Sequence, residues 1–205
     1  MLSRKSAKKR ESGRISRKRN AGLRQAGGGR CLLLGLTLTC LVFSVFPAFG
    51  TDIPTPFEAD RLVGRPAPDF SLKALDGRRV SLAALKGRVV LLNFWGTWSP
   101  PSRDELPRLE VLYRDLRTRG LEVLAVSTDT SLDHIRAFLR ENPVSFPVVF
   151  DGGRTLSRGS YKVFVVPTTV VIGRNGAILR IYYGGRTWDS PEVLTEIEET
   201  VISEK

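Results

Sequence analysis

Residues 93–102 read Asn93-Phe94-Trp95-Gly96-Thr97-Trp98-Ser99-Pro100-Pro101-Ser102. Just upstream, Lys86-Gly87 leads into Val89–Trp95, a continuous apolar run of the kind that fills a central strand covered on both faces. Gly96-Thr97-Trp98 forms a tight turn. A helix follows: Ser99 is placed to cap its N-terminus, and Pro100 takes the first helical position, where its missing N–H is harmless. Ser99 and Ser102 stand with two residues between them at this helix start. Cysteines at both positions would make a Cys-x-x-Cys redox motif. As written, the segment carries no sulfur and closes no disulfide.

The rest of the chain supplies a frame for that segment. Pro66–Leu72 is extended, Asp76-Gly77 is a turn, and Arg79–Leu82 pairs back as a small hairpin. After Ser99, the residues Leu106, Leu109, Leu112, Tyr113 and Leu116 form one helical stripe, with Pro107 inside it and Gly120 at its end. Leu121–Val126 reads as a second buried strand. Ser131 caps a helix whose apolar face is Leu132, Ile135, Phe138 and Leu139, stopped by Asn142-Pro143. Phe146–Phe150 is a third strand, and 153–162 holds a short helix or turn. Thr168–Ile172 and Ala177–Tyr183 flank an Asn175-Gly176 hairpin turn. A final helix starts at Ser190-Pro191 and turns Val193, Leu194, Ile197, Val201 and Ile202 to the core. Strands alternating with helices predict an α/β domain, with a central mixed sheet and helices on both faces.

Charge divides the 205-residue chain sharply. Residues 1–30 carry eleven Lys/Arg against one Glu, while residues 51–205 carry 21 Lys/Arg against 20 Asp/Glu. The net +11 is therefore a property of the leader. The leader runs straight into the uncharged stretch 31–50, which is a targeting layout and not a nucleic-acid-binding tail. Nineteen apolar residues suffice to span a bilayer, and Ala48 and Gly50 equally suit cleavage of a signal peptide. Either way, the cationic flank stays inside and the domain is exported. The organisation read here is a basic cytoplasmic leader (1–30), an apolar signal peptide or membrane anchor (31–50), a linker (51–65) and one domain (66–205). Met1 need not be the true start, since 30 basic residues make a long leader. The only cysteines, Cys31 and Cys40, fall in the apolar stretch, so the domain has none.

Residues 66–186 resemble the extracytoplasmic thioredoxin-fold proteins of the ResA/TlpA type, within the redoxin group. The stretches that carry the resemblance are Ala67-Pro68-Asp69-Phe70, Leu75-Asp76-Gly77, Leu85-Lys86-Gly87, Asn93–Trp98, Glu105-Leu106-Pro107, Phe146–Val149 and Val166–Thr169. It implies a thioredoxin-like fold with an N-terminal β-hairpin and a βα insert at about 128–150. It also implies a membrane-tethered or exported protein tied to dithiol reduction, often in cytochrome c maturation. Positions 99 and 102 are where the family carries its nucleophilic and resolving cysteines, within a frame of Trp98, Pro100, Pro101 and Glu105. Val166-Pro167 matches the family's cis-proline loop, which with Trp98 and Thr168 would line a groove for an extended peptide segment of an extracytoplasmic protein.

Serine does not replace those cysteines chemically. Exchange needs a thiolate, and a helix N-terminus lowers a thiol from about 8.5 into the useful range but leaves an alkyl alcohol protonated. Ser99 as a hydrolytic nucleophile would need a base and an orienting group. There is no Gly-x-Ser-x-Gly elbow. The single histidine, His134, reads as a solvated helix residue beside Asp133. One histidine and no cysteine leave the domain short of a zinc or copper ligand set, so no metal or other cofactor is expected. Ser102 is expected to bond locally or to solvent, and Glu105 to sit favourably near a helix N-terminus. The leading reading is a non-catalytic protein-binding module. The alternatives are a thiol-disulfide oxidoreductase in family terms, or unrelated chemistry at Ser99.

Overall fold

The computed structural model describes residues 57–203. The leader, the apolar segment and the first part of the expected linker lie outside the described residues. No helix among the described residues is long and apolar enough to cross a membrane.

Among the described residues, seven strands and three α-helices follow in the order β1 (Ser71–Lys73), β2 (Arg79–Ser81), β3 (Val89–Trp95), α1 (Pro100–Leu116), β4 (Leu121–Ser127), α2 (Leu132–Glu141), β5 (Val148–Phe150), β6 (Thr168–Ile172), β7 (Ile178–Tyr183) and α3 (Pro191–Ser203). β1 and β2 form a hairpin, and the remaining strands form one sheet in the order β5-β4-β3-β6-β7. β3 runs parallel to β4, and β4 parallel to β5. β6 and β7 complete the sheet antiparallel. This is a thioredoxin-like α/β fold.

The apolar run of β3 has a simple cause. Successive side chains of a strand point to opposite faces, and both faces here are covered. Val89, Leu91 and Trp95 join the α-helices in one core cluster, with Leu109, Leu112, Ile135, Ile197 and Trp188. Val90, Leu92 and Phe94 join the other, with Phe70, Val80, Leu156 and Tyr161 from the hairpin and the helical turn Thr155–Ser160. The expected insert is α2 with β5, which adds the edge strand beside β4.

Two local readings change. Residues 57–65, expected within a linker, are packed on the sheet. Phe57 meets Tyr183 edge to face at 4.9 Å, Tyr183 donates to Asp60 at 2.9 Å, and the Gly64 amide bonds the Ile178 carbonyl. Ala59 is the buried anchor, an isolated small residue that periodicity does not flag. Ile202 is exposed rather than core-facing, because the last turn of α3 rotates it away. α1 runs through Pro107 without a break, since α1 is held along its length by its buried leucines.

Candidate functional site

Sequence places Trp98 to Ser102 at the C-terminal end of β3, and the fold explains how they are held. Gly96 permits the turn: a Cβ there would run into the indole of Trp98. Asp129, beyond the end of β4, accepts from the Thr97 amide at 3.1 Å, the Thr97 hydroxyl at 2.6 Å and the Ser127 hydroxyl at 2.7 Å. These bonds leave Trp98 59% exposed at the mouth of the site. Pro100 and Pro101 occupy the first two helical positions and are exposed.

Ser99 occupies the N-cap position, but its side chain makes no cap hydrogen bond. Its hydroxyl reaches across to the Val166 carbonyl, a long contact of 3.3 Å. The facing loop contains a cis peptide between Val166 and Pro167. The Ser99 hydroxyl thus points to the facing loop and not to the amides of its own helix, so the expected capping role gives way to a cross-loop contact. Pro167 is buried, and its carbonyl accepts from the Gly184 amide. Thr168 is fully buried and donates back to the Val165 carbonyl at 2.7 Å. It fixes the loop's shape but presents no side chain to the groove. Val166 is half-buried, and its amide finds no partner among the described residues. The groove is thus bounded by Trp98 on one side and by Phe164 and Val166 on the other.

Below the helix start lies a buried polar network. Asn93, at the centre of β3, donates to Glu105 at 2.7 Å and to the Thr169 hydroxyl at 2.9 Å. The second Glu105 oxygen accepts from the Arg186 amide and the Trp188 indole, each at 3.1 Å. Glu105 is 1% exposed, so its expected role as a helix-terminus acid in solvent is replaced by that of a buried hub. Burial pushes its carboxyl above the ordinary value of 4.5, and the three donors oppose the shift. Ser102 is fully buried, and its hydroxyl has no partner. The helix turns it inward against the core, and it finds no hydrogen-bond partner among the described residues. Sequence reasoning missed Asn93, Asp129, Thr169 and Trp188. Asn93 carried a signal, being the one amide in an apolar strand.

His134 is exposed on α2. Among the described residues, no three His, Cys, Asp or Glu side chains gather as a metal site. The Ser99 hydroxyl meets a backbone carbonyl and not a general base.

Known proteins resemble this chain in sequence and fold. ResA, a thiol-disulfide oxidoreductase of Halalkalibacterium halodurans, is 34% identical over 153 residues, covering 73% of this chain and 86% of its own. ResA of Bacillus subtilis is 36% identical over 124 residues, covering 60% of this chain and 69% of its own. Among solved structures, a provisionally assigned thiol:disulfide interchange protein DsbE of Chlorobium tepidum superposes with a TM-score of 0.61 at 32% identity, over 69% of this chain and 96% of that one. StoA of Bacillus subtilis superposes at 0.55 with 24% identity, over 66% and 97% of the two chains, a likeness of fold alone. Residues 63–181 match the AhpC/TSA family. With a thioredoxin-like sheet, a facing cis-proline loop and relatives that share most of its length, this chain belongs to the AhpC/TSA family.

Proposed function

We propose that this chain is a ResA-like protein in which Ser99 and Ser102 stand at the positions of the redox cysteines, and that it works as a non-catalytic protein-binding module. The observation that carries the reading is the pairing of a cysteine-free helix start with a groove. Trp98 is exposed beside a loop whose Val166 amide is unpartnered among the described residues, while the two positions that would do chemistry hold hydroxyls. An extended segment of a partner protein lies in that groove, bonding the Val166 backbone and packing on Trp98, in the manner of strand addition. The basic leader and apolar segment place the domain outside the cytoplasm, anchored through residues 31–50 if uncleaved. There it serves envelope thiol-disulfide or cytochrome c maturation pathways by binding, without turnover.

Site-specific photo-crosslinking tests the groove. A crosslinker at Val165, which is exposed at the groove edge, is expected to trap an extended segment of one envelope protein, and Trp98→Ala is expected to reduce that yield at least fivefold. Equal yields with and without Trp98, or equal yields from a crosslinker placed on β1, would sink the binding-module reading.

A further inference from the structure

Beside Trp98 and Val166 lies a shallow depression of about 30 Å³. Trp98, Phe164 and Val166 form its apolar wall; Arg154, Arg158 and Ser157 supply the polar one. Arg154 and Arg158 make no ion pair among the described residues. The Arg158 guanidinium stands 5.9 Å from the Phe164 ring centre, a contact that orients the charge without neutralising it. Ser157 is 1% exposed, and its hydroxyl has no partner among the described residues.

The local acids are committed elsewhere. Asp151 accepts from the Leu156 and Ser157 amides at 3.2 and 2.7 Å. Asp129 holds Thr97 and Ser127. No Asp or Glu occurs between Asp151 and Asp189. The positive charge here is local, because the region 51–205 is nearly neutral overall.

Two free guanidinium groups and a buried, unpartnered hydroxyl beside an apolar wall make a receptor for a small anion attached to something apolar. Charge-assisted bonds from arginine favour a carboxylate, and a buried hydroxyl without a partner is a cost that an acceptor removes. A depression this small suits one small polar group at the end of a side chain. In an extended segment, alternate side chains face the same way about 6–7 Å apart. One residue therefore packs on Trp98 while a neighbour on the same face reaches the arginines. We propose that this depression receives an Asp or Glu carboxylate of the bound partner segment, so that the groove selects acidic extended peptides. The inference rests on the binding-groove reading above.

The test measures binding of labelled nonapeptide libraries to the full chain in detergent by fluorescence anisotropy. The fifth position is fixed as Glu, Gln or Lys, and the other positions are randomised without charged residues. The Glu library is expected to bind roughly tenfold tighter than the Gln library, and the Lys library weakest. Arg154→Gln/Arg158→Gln is expected to abolish the Glu preference, so that the Glu and Gln libraries bind alike, while Trp98→Ala weakens all three libraries. Equal binding of the three libraries with Trp98→Ala still weakening them would overturn the acidic site and leave the groove standing. A Glu preference that survives loss of both arginines would overturn the acidic site as well. No binding, or binding indifferent to Trp98, would overturn both readings.

Discussion

Glu105 and Ser102 show how single residues define the interior of this site. Glu105 is buried, and its carboxyl is held above 4.5 by that burial. A group whose pKa is raised on folding binds its proton more tightly in the native state. Its contribution to stability is therefore fully present below the unfolded value and is lost as pH rises through the folded one. Glu105→Gln is expected to remove that downward slope as pH rises above about 4.5, which denaturant titrations at several pH values would read. The same slope in both proteins would mean that Glu105 is not the titrating group. Ser102 raises the opposite question, because its buried hydroxyl has no partner. Ser102→Ala is expected to raise stability by up to about 1 kcal/mol. A loss of more than about 1 kcal/mol would show that the hydroxyl is bonded in solution.

At the scale of elements, the joints matter more than the helices and strands they connect. Gly120 closes the short helical turn after α1 at φ +112° and opens β4. A Cβ there would approach the Arg174 guanidinium at 2.7 Å, and that side chain is tied to backbone carbonyls, including those of Arg119 and Val201. Gly120→Ala is expected to cost about 1–2 kcal/mol, measured as a lowered denaturation midpoint with unchanged m. An unaltered midpoint would show that the turn relaxes freely. The elements were readable in the sequence because their signals are local. Apolar runs marked β3, β4 and β6, serine caps with proline or a periodic face marked α2 and α3, and Asn175-Gly176 marked the last hairpin. What was not readable depends on contacts across the fold. The Ser99 hydroxyl leaves its own helix for Val166, 67 residues away, and Glu105 finds Trp188, 83 residues away. The docking of residues 57–65 on β7 likewise rests on one small buried alanine and one aromatic pair. Arg154 and Arg158 carry no pattern in the sequence that marks them; the fold sets them beside Trp98.

Across the whole molecule, fold and chemistry separate. The sheet is that of a thioredoxin-like fold shared with thiol-disulfide oxidoreductase relatives, yet the helix start holds Ser99 and Ser102 and the domain holds no cysteine. A frame that has kept its shape should accept its chemistry back. A disulfide-exchange assay with a fluorogenic disulfide substrate tests this most directly, using the full chain with Cys31→Ser/Cys40→Ser so that no other sulfur contributes. The account predicts background rates for that protein, and exchange at least a hundredfold above background once Ser99→Cys/Ser102→Cys is added. Turnover without the two added cysteines would contradict the non-catalytic reading, and a folded double-cysteine variant with no exchange would contradict the claim that the frame is intact.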